Sequence, residues 1–149
     1  MFGKILLAAG GQEASEPARV AGRLCREVGA RLTIISVYPH TIELLGEPTY
    51  GETLNKRLEE ADDALAAASR VASAEGAGQP DTDKLEGDPV ERIVKVAHDG
   101  DFELIVMGTR RRGRIEAALL GSVSAGVAAR AGVPVLIVPE HKTSQHVVG

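Results

Sequence analysis

Short apolar runs alternate with longer amphipathic ones along the whole chain. Ile5-Leu6-Leu7-Ala8-Ala9 is continuously apolar and stops at Gly10-Gly11, the pattern of a short strand buried on both faces. Residues 15–28 then place Ala18, Ala21, Leu24, Cys25 and Val28 at helical spacing. Ser15 is positioned to cap this helix, Pro17 suits its first turn, and Gly29 supplies its C-terminal stop. Leu32-Thr33-Ile34-Ile35-Ser36-Val37, rich in β-branched residues, predicts a second strand. Residues 38–51 hold two prolines, two glycines and both tyrosines, and predict a loop that is long for a compact domain.

Residues 52–75 give the strongest helical signal, with Leu54, Leu58, Ala61, Leu65, Ala68 and Ala72 at steps of four and three. Gly76 to Pro80 ends it, and residues 81–86 predict a short, polar third strand. Asp88 is a good N-cap with Pro89 at the first helical position, and Val90, Ile93, Val94 and Ala97 form one apolar stripe. Leu104-Ile105-Val106-Met107 is the fourth strand. A glycine- and arginine-rich segment leads to a helix over 122–131, and Val133-Pro134-Val135-Leu136-Ile137-Val138 closes the order β-α-β-α-β-α-β-α-β. Wholly apolar strands separated by helices imply a parallel sheet covered on both faces. Right-handed crossovers make this an open doubly wound five-stranded α/β sheet, expected in the order 3-2-1-4-5. No repeat or second domain is visible, so residues 1–140 are expected to form one domain and 141–149 a frayed polar tail.

Composition narrows the partners. With 44% hydrophobic residues, disorder of the body is excluded as a reading, while four aromatic residues and no tryptophan disfavour base-stacking or sugar-reading surfaces. A net charge of −4 argues against a general nucleic-acid binder. No apolar run approaches the ~20 residues of a membrane span, and the N-terminus lacks the basic leader of a secretory signal, so a cytoplasmic location away from membranes is expected. Cys25 alone allows neither an intrachain disulfide nor a multi-cysteine zinc site. It lies on the apolar side of the first helix and reads as an inert buried thiol. The four histidines show no metal-ligand spacing, Glu59-Glu60 and Asp62-Asp63 read as a solvated helix face, and no Ser-His-Asp or paired-carboxylate set is recoverable.

Open α/β sheets bind ligands beyond the carboxyl ends of their strands, where strand order reverses. Two glycine-rich strand exits qualify, Gly10-Gly11 and the segment from Gly108 to Gly121-Ser122. In the second, four arginines against Glu116 give residues 108–121 a charge of +3, leaving −7 on the rest of the chain. Glycine permits close backbone approach or positive φ, and a helix N-terminus at Ser122 would present free N–H groups to an anion. A phosphate-bearing small molecule fits that pattern. The same residues also fit a plain turn at Gly108, a helix cap at Ser122 and solvated or ion-paired arginines, and composition does not separate the two. Likewise the last strand, apolar and uncharged at a sheet edge, invites pairing with another chain unless the tail or a helix covers it.

The element order, Gly108, Gly121-Ser122, Glu86-Gly87-Asp88-Pro89, Leu119-Leu120-Gly121-Ser122-Val123 and the closing apolar strand together resemble the universal stress protein family over about residues 2–139. Its nucleotide-binding branch carries G-x2-G-x9-G-[ST], and Gly108 and Gly121-Ser122 stand at the right separation. The middle glycine of that motif is Arg111 here, with Gly113 two residues on, and the acid found after the first strand in binding members is Gly10. Arg111 would either close the phosphate cradle or clamp into it. The resemblance implies a pocket of Ala9 and Gly10, Val37 against the base, and Met107 and Gly108. It further implies Gly121, Ser122, Val123 and Ser124 on the phosphates, with Arg111 and Gly113 as further members. It implies an adenine nucleotide, ATP first, with or without Mg2+, and an antiparallel homodimer through residues 133–138. The expected role is a regulatory stress-response factor without efficient catalysis. Gly10 and Arg111 favour the alternative, a member that binds no nucleotide and works through its dimer surface or a protein partner. A hydrolase or transferase on the same scaffold is a further alternative.

Overall fold

The computed structural model describes residues 2–10, 15–40, 49–109 and 121–139. Five strands, β1 (Lys4–Ala8), β2 (Arg31–Tyr38), β3 (Asp81–Glu86), β4 (Leu104–Gly108) and β5 (Val135–Val138), form one sheet in the order β3-β2-β1-β4-β5. The helices are α1 (Ser15–Val28), α2 (Thr49–Ala74), α3 (Pro89–Asp99) and α4 (Ser122–Arg130). All four strand pairings are parallel, with Leu7 opposite both Ile34 of β2 and Val106 of β4. The strand order runs outward from β1 to β3 and then restarts on the other side of β1. The reversal therefore falls between β1 and β4, and a crevice opens above that point.

Strand alternation divides the core into two layers. Ile5, Leu7, Ile34 and Val106 join Ala18, Ala21, Cys25, Leu65, Ala68 and Ala72 on the face covered by α1 and α2. Leu6, Ile35, Ile105 and Met107 join Ile93, Ala97 and Val127 on the face covered by α3 and α4. Burial pushes the Cys25 thiol up from its ordinary pKa, which keeps it protonated and unreactive. Glu59, Glu60, Asp62 and Asp63 are all exposed.

Local chemistry accounts for the ends of the elements. Gly29 adopts φ +72 and its N–H bonds back to the Cys25 carbonyl at 2.9 Å, ending α1. The Asp88 carboxylate accepts from the Glu91 N–H at 2.9 Å, and Pro89 opens α3. Several boundaries move from their expected places, among them β1, which runs Lys4–Ala8 rather than 5–9, and β5, which begins at Val135 rather than Val133. Ser15 is the first helical residue of α1 rather than the residue before it. α2 begins at Thr49, three residues before the expected start, and β2 extends to Tyr38 because the Tyr38 carbonyl still accepts from Gly87 N–H at 2.9 Å. Residues 41–48 and the expected tail, 141–149, lie outside the described residues. β3 is a strand despite its polarity because it is an edge. It needs one neighbour only, and Lys84 turns outward to reach Asp62 of α2 at 2.9 Å.

The α1–α2 contact brings two backbones together at Gly22. A Cβ placed there would lie 2.5 Å from the Ala72 carbonyl oxygen and 2.9 Å from its Cα. Alanine gains about 1 kcal/mol in helix propensity over glycine, but forcing the helices apart typically costs about 1–3 kcal/mol. Gly22→Ala is therefore expected to lose about 1 kcal/mol of stability, read as a lower urea midpoint with an unchanged slope. A more stable variant would show that the helices separate freely.

Candidate functional site

A cavity of about 270 Å³ occupies the crevice above the strand reversal. Ala8, Ala9 and Gly10 reach it from the exit of β1, Val37 from β2, and Met107 and Gly108 from β4. The first turn of α4, from Gly121 to Ser124, closes another side. Nine of the eleven predicted pocket residues thus line a single cavity, while Arg111 and Gly113 lie outside the described residues. All described lining residues are uncharged.

The wall has an apolar part and a hydrogen-bonding part. Ile35, Val37, Pro89, Ile93 and Met107 supply the apolar part. Val37 also offers backbone groups. In a parallel strand successive residues turn their N–H and C=O to opposite neighbours. Tyr38 uses the β3 side, so Val37 faces the β1 side. There the ladder's last link is Ala9 N–H to the Ile35 carbonyl at 2.8 Å. Among the described residues, neither polar group of Val37 has a backbone partner on that side. A donor and an acceptor on one residue at the rim of an apolar slot suit the edge of a planar heterocycle.

The hydrogen-bonding part is the N-terminus of α4. Its N-cap is Gly121, at φ −61 and ψ 157, with no side-chain cap and no acidic residue in the first turn. The first intrahelical bond at this end joins Ala125 N–H to the Gly121 carbonyl at 3.0 Å, so the N–H groups before it point out of the helix. The starts of α1 and α3 also approach the cavity, through Pro17 and Pro89. α1 carries Glu16 in its first turn, paired with Arg19, and α3 is capped by Asp88. Of these three helix starts, α4 alone offers N–H groups with neither a cap nor a carboxylate beside them among the described residues, the arrangement that receives an anion.

Individual residues differ from the expectation in role. Ser122 is exposed at the cavity, but the Ser124 side chain is buried and its hydroxyl donates to the Gly121 carbonyl at 3.0 Å. Ser124 therefore offers a ligand its N–H and not its hydroxyl. Positive φ is found at glycines 29, 76, 78, 87 and 132, and not at Gly108 or Gly121. Gly108 is required by close packing instead, since a Cβ there would sit 2.8 Å from Cγ of Pro17. Thr109, Pro17, Pro89 and Ile93 line the cavity without having been singled out from sequence. Pro89 and Ile93 were legible as a helix start and an apolar stripe, but which cavity that helix faces depends on the crossover. Pro17 read only as a tolerated first-turn proline. Thr109 sits next to Gly108 and carried no signal of its own.

The sequence profile of the universal stress protein family matches residues 1–139. The chain belongs to the universal stress protein family. It is 40% identical over 139 residues to a universal stress protein of Thermus aquaticus, covering 93% of this chain and 99% of that one. It is 34% identical over 146 residues to one from Methanocaldococcus jannaschii, covering 95% and 85%. Among solved structures, a universal stress protein in complex with cAMP superposes with a TM-score of 0.72 at 27% identity, over 92% of this chain and 97% of that one. Family members thus share the doubly wound sheet, and at least one solved relative holds an adenine nucleotide. No helix among the described residues is long and apolar enough to cross a membrane, and no group of three or more His, Cys, Asp or Glu among them could hold a metal ion.

Proposed function

We propose that this universal stress protein binds an adenine nucleotide, ATP first, in the crevice between β1 and β4, and acts as a regulatory stress-response factor without efficient catalysis. The observation that carries this is the N-terminus of α4, without cap or carboxylate among the described residues, set across an apolar slot. The slot suits a base, the backbone groups of Val37, without partners among the described residues, suit its edge, and the open N–H groups suit a phosphate. The cAMP complex of a relative supports the same ligand class. If Mg2+ accompanies the nucleotide, phosphate oxygens would supply its ligands, because the described wall has no carboxylate. Efficient phosphoryl transfer needs a placed water activator as well as charge stabilisation, and no described lining residue is a general base. The protein as purified is expected to release an adenine nucleotide on acid extraction, identified by mass spectrometry. Failure to find one, together with no binding of ATP, AMP or cyclic AMP at millimolar concentration, overturns the assignment.

A second reading is favoured by Gly10, which puts no acid at the β1 exit, and by the β5 edge. β5 ends the sheet, and Leu136 stands 38% exposed on it. An uncharged apolar edge suits strand pairing with a second copy. We infer a homodimer through residues 133–138, compatible with nucleotide binding or acting in its place through a protein partner. Wild type should scatter light as a dimer at micromolar concentration, and Leu136→Lys should shift it to monomer by raising the dissociation constant at least about tenfold. A wild type that stays monomeric throughout removes this interface.

A further inference from the structure

Thr109 is the first residue past β4, and strand alternation sets it on the face of Met107, beneath α3 and α4. It is 4% exposed and lines the cavity. Its Oγ1 is closed to water and has no hydrogen-bond partner among the described residues. Native proteins hold few such groups, because a buried hydroxyl without a partner is destabilising. A valine would fill the same volume without that cost, so packing does not explain a threonine here. The other buried side-chain atom in this condition, Nε of Arg92, is not part of the cavity wall.

We propose that Thr109 is a ligand-binding residue whose hydroxyl donates to a phosphate oxygen of the nucleotide held at the start of α4. This rests on the nucleotide assignment above and extends it to a position within the motif that is not one of its glycines. Thr109 and Gly121 bound the segment that leads from β4 to α4, and both line the same cavity. Thr109 lies on the sheet face that α4 covers, so an anion drawn to the open N–H groups shares the cavity with its side chain. The apolar side gives a hydroxyl nothing to bond. One step between staggered χ1 wells carries the hydroxyl into the place of the methyl and the methyl into that of Hβ, so the oxygen can meet a ligand without backbone movement. A hydrogen bond to a charged acceptor is about twice as strong as a neutral one, and it resolves the unmet donor at the same time.

The test uses the full chain and two probes, ATP and adenosine, titrated calorimetrically against wild type, Thr109→Val and Thr109→Ser. Thr109→Val is expected to weaken ATP about tenfold or more and to leave adenosine within about threefold. Its ligand-free melting temperature is expected to equal or exceed that of wild type. Thr109→Ser, which keeps the donor, is expected to bind ATP within about threefold of wild type. Equal loss of ATP and adenosine, or unchanged ATP binding in the valine variant, overturns the proposal and leaves the nucleotide assignment standing. A lower melting temperature for the ligand-free valine variant also overturns it, by showing that the hydroxyl has a partner within the chain. A wild type that binds neither probe overturns both.

Discussion

Gly121→Asp is expected to make the ligand-free protein slightly more stable and nucleotide binding far weaker. The backbone at 121 is already extended, at φ −61 and ψ 157, which aspartate adopts without strain. Its carboxylate would accept from an N–H of the first turn of α4 and meet the positive end of the helix dipole. The cap and the dipole together are worth about 0.5–1 kcal/mol. The same carboxylate takes up a donor the ligand needs and sets a negative charge beside its phosphates. Two like charges about 4 Å apart near a protein surface repel by about 4 kcal/mol. A loss of at least about 100-fold in ATP affinity follows. Gly121→Asn separates the two causes, since it caps the helix as well but adds no charge, and its loss should be nearer tenfold. Thermal melting without ligand and calorimetric titration with ATP give the two signs. Wild-type affinity in the aspartate variant would mean that the ligand's anionic end lies elsewhere.

Leu7→Ala is expected to cost about 3–5 kcal/mol, the upper part of the range for leucine-to-alanine changes in a core. Leu7 is fully buried in β1, with Ile34 and Val106 as its ladder neighbours on either side. The fully buried face of α1 over this layer is Pro17, Ala18, Ala21, Gly22 and Cys25, short or rigid residues that cannot reach into a void, with Val20 and Leu24 only partly buried at its margin. Gly22 also seats α1 against the backbone of α2, so the helix cannot sink toward the sheet without moving its neighbour. The cavity therefore stays open, and the penalty includes the lost packing as well as the lost burial. Against a typical total of about 5–15 kcal/mol, such a loss leaves the domain marginal at growth temperature. Urea unfolding should show a lower midpoint at unchanged slope. A loss under about 1 kcal/mol would mean that α1 does move in to fill the space.

Much of the architecture was legible because periodicity reports burial directly. β1 and β4 are buried on both faces, and their runs of apolar residues show it. α3 was marked by Asp88, Pro89 and an apolar stripe; Asp88 caps the helix and Pro89 opens it, and Val90, Ile93 and Ala97 pack into the core as expected, while Val96 joins them in place of Val94. The start of α2 was obscured by Tyr50 and Gly51, residues with poor helix propensity that the packing of a 26-residue helix overrides. The pocket was legible through the two glycines at the right separation, since motif spacing encodes a fixed loop geometry between a strand end and a helix start. The reason for each glycine was not legible. Gly108 answers to Pro17, almost a hundred residues earlier in the chain, and such a contact exists only once the crossovers are made. Thr109 escaped for a similar cause. A lone threonine beside a glycine says nothing until its hydroxyl is seen to be buried without a partner.

Gly108 and Gly121 both belong to the motif, yet they leave the protein different evolutionary exits. At 121 the extended backbone needs no glycine for its φ and ψ, so one substitution there is expected to silence the proposed pocket at little cost to the fold. At 108 any side chain must push Pro17 and the first turn of α1 aside, and occupancy and folding suffer together. A lineage of such domains can therefore drift from ligand-dependent to ligand-independent work in a single viable step, provided that step falls at the helix end of the motif. The strand end will be held in place by the demands of the fold long after any ligand has been given up.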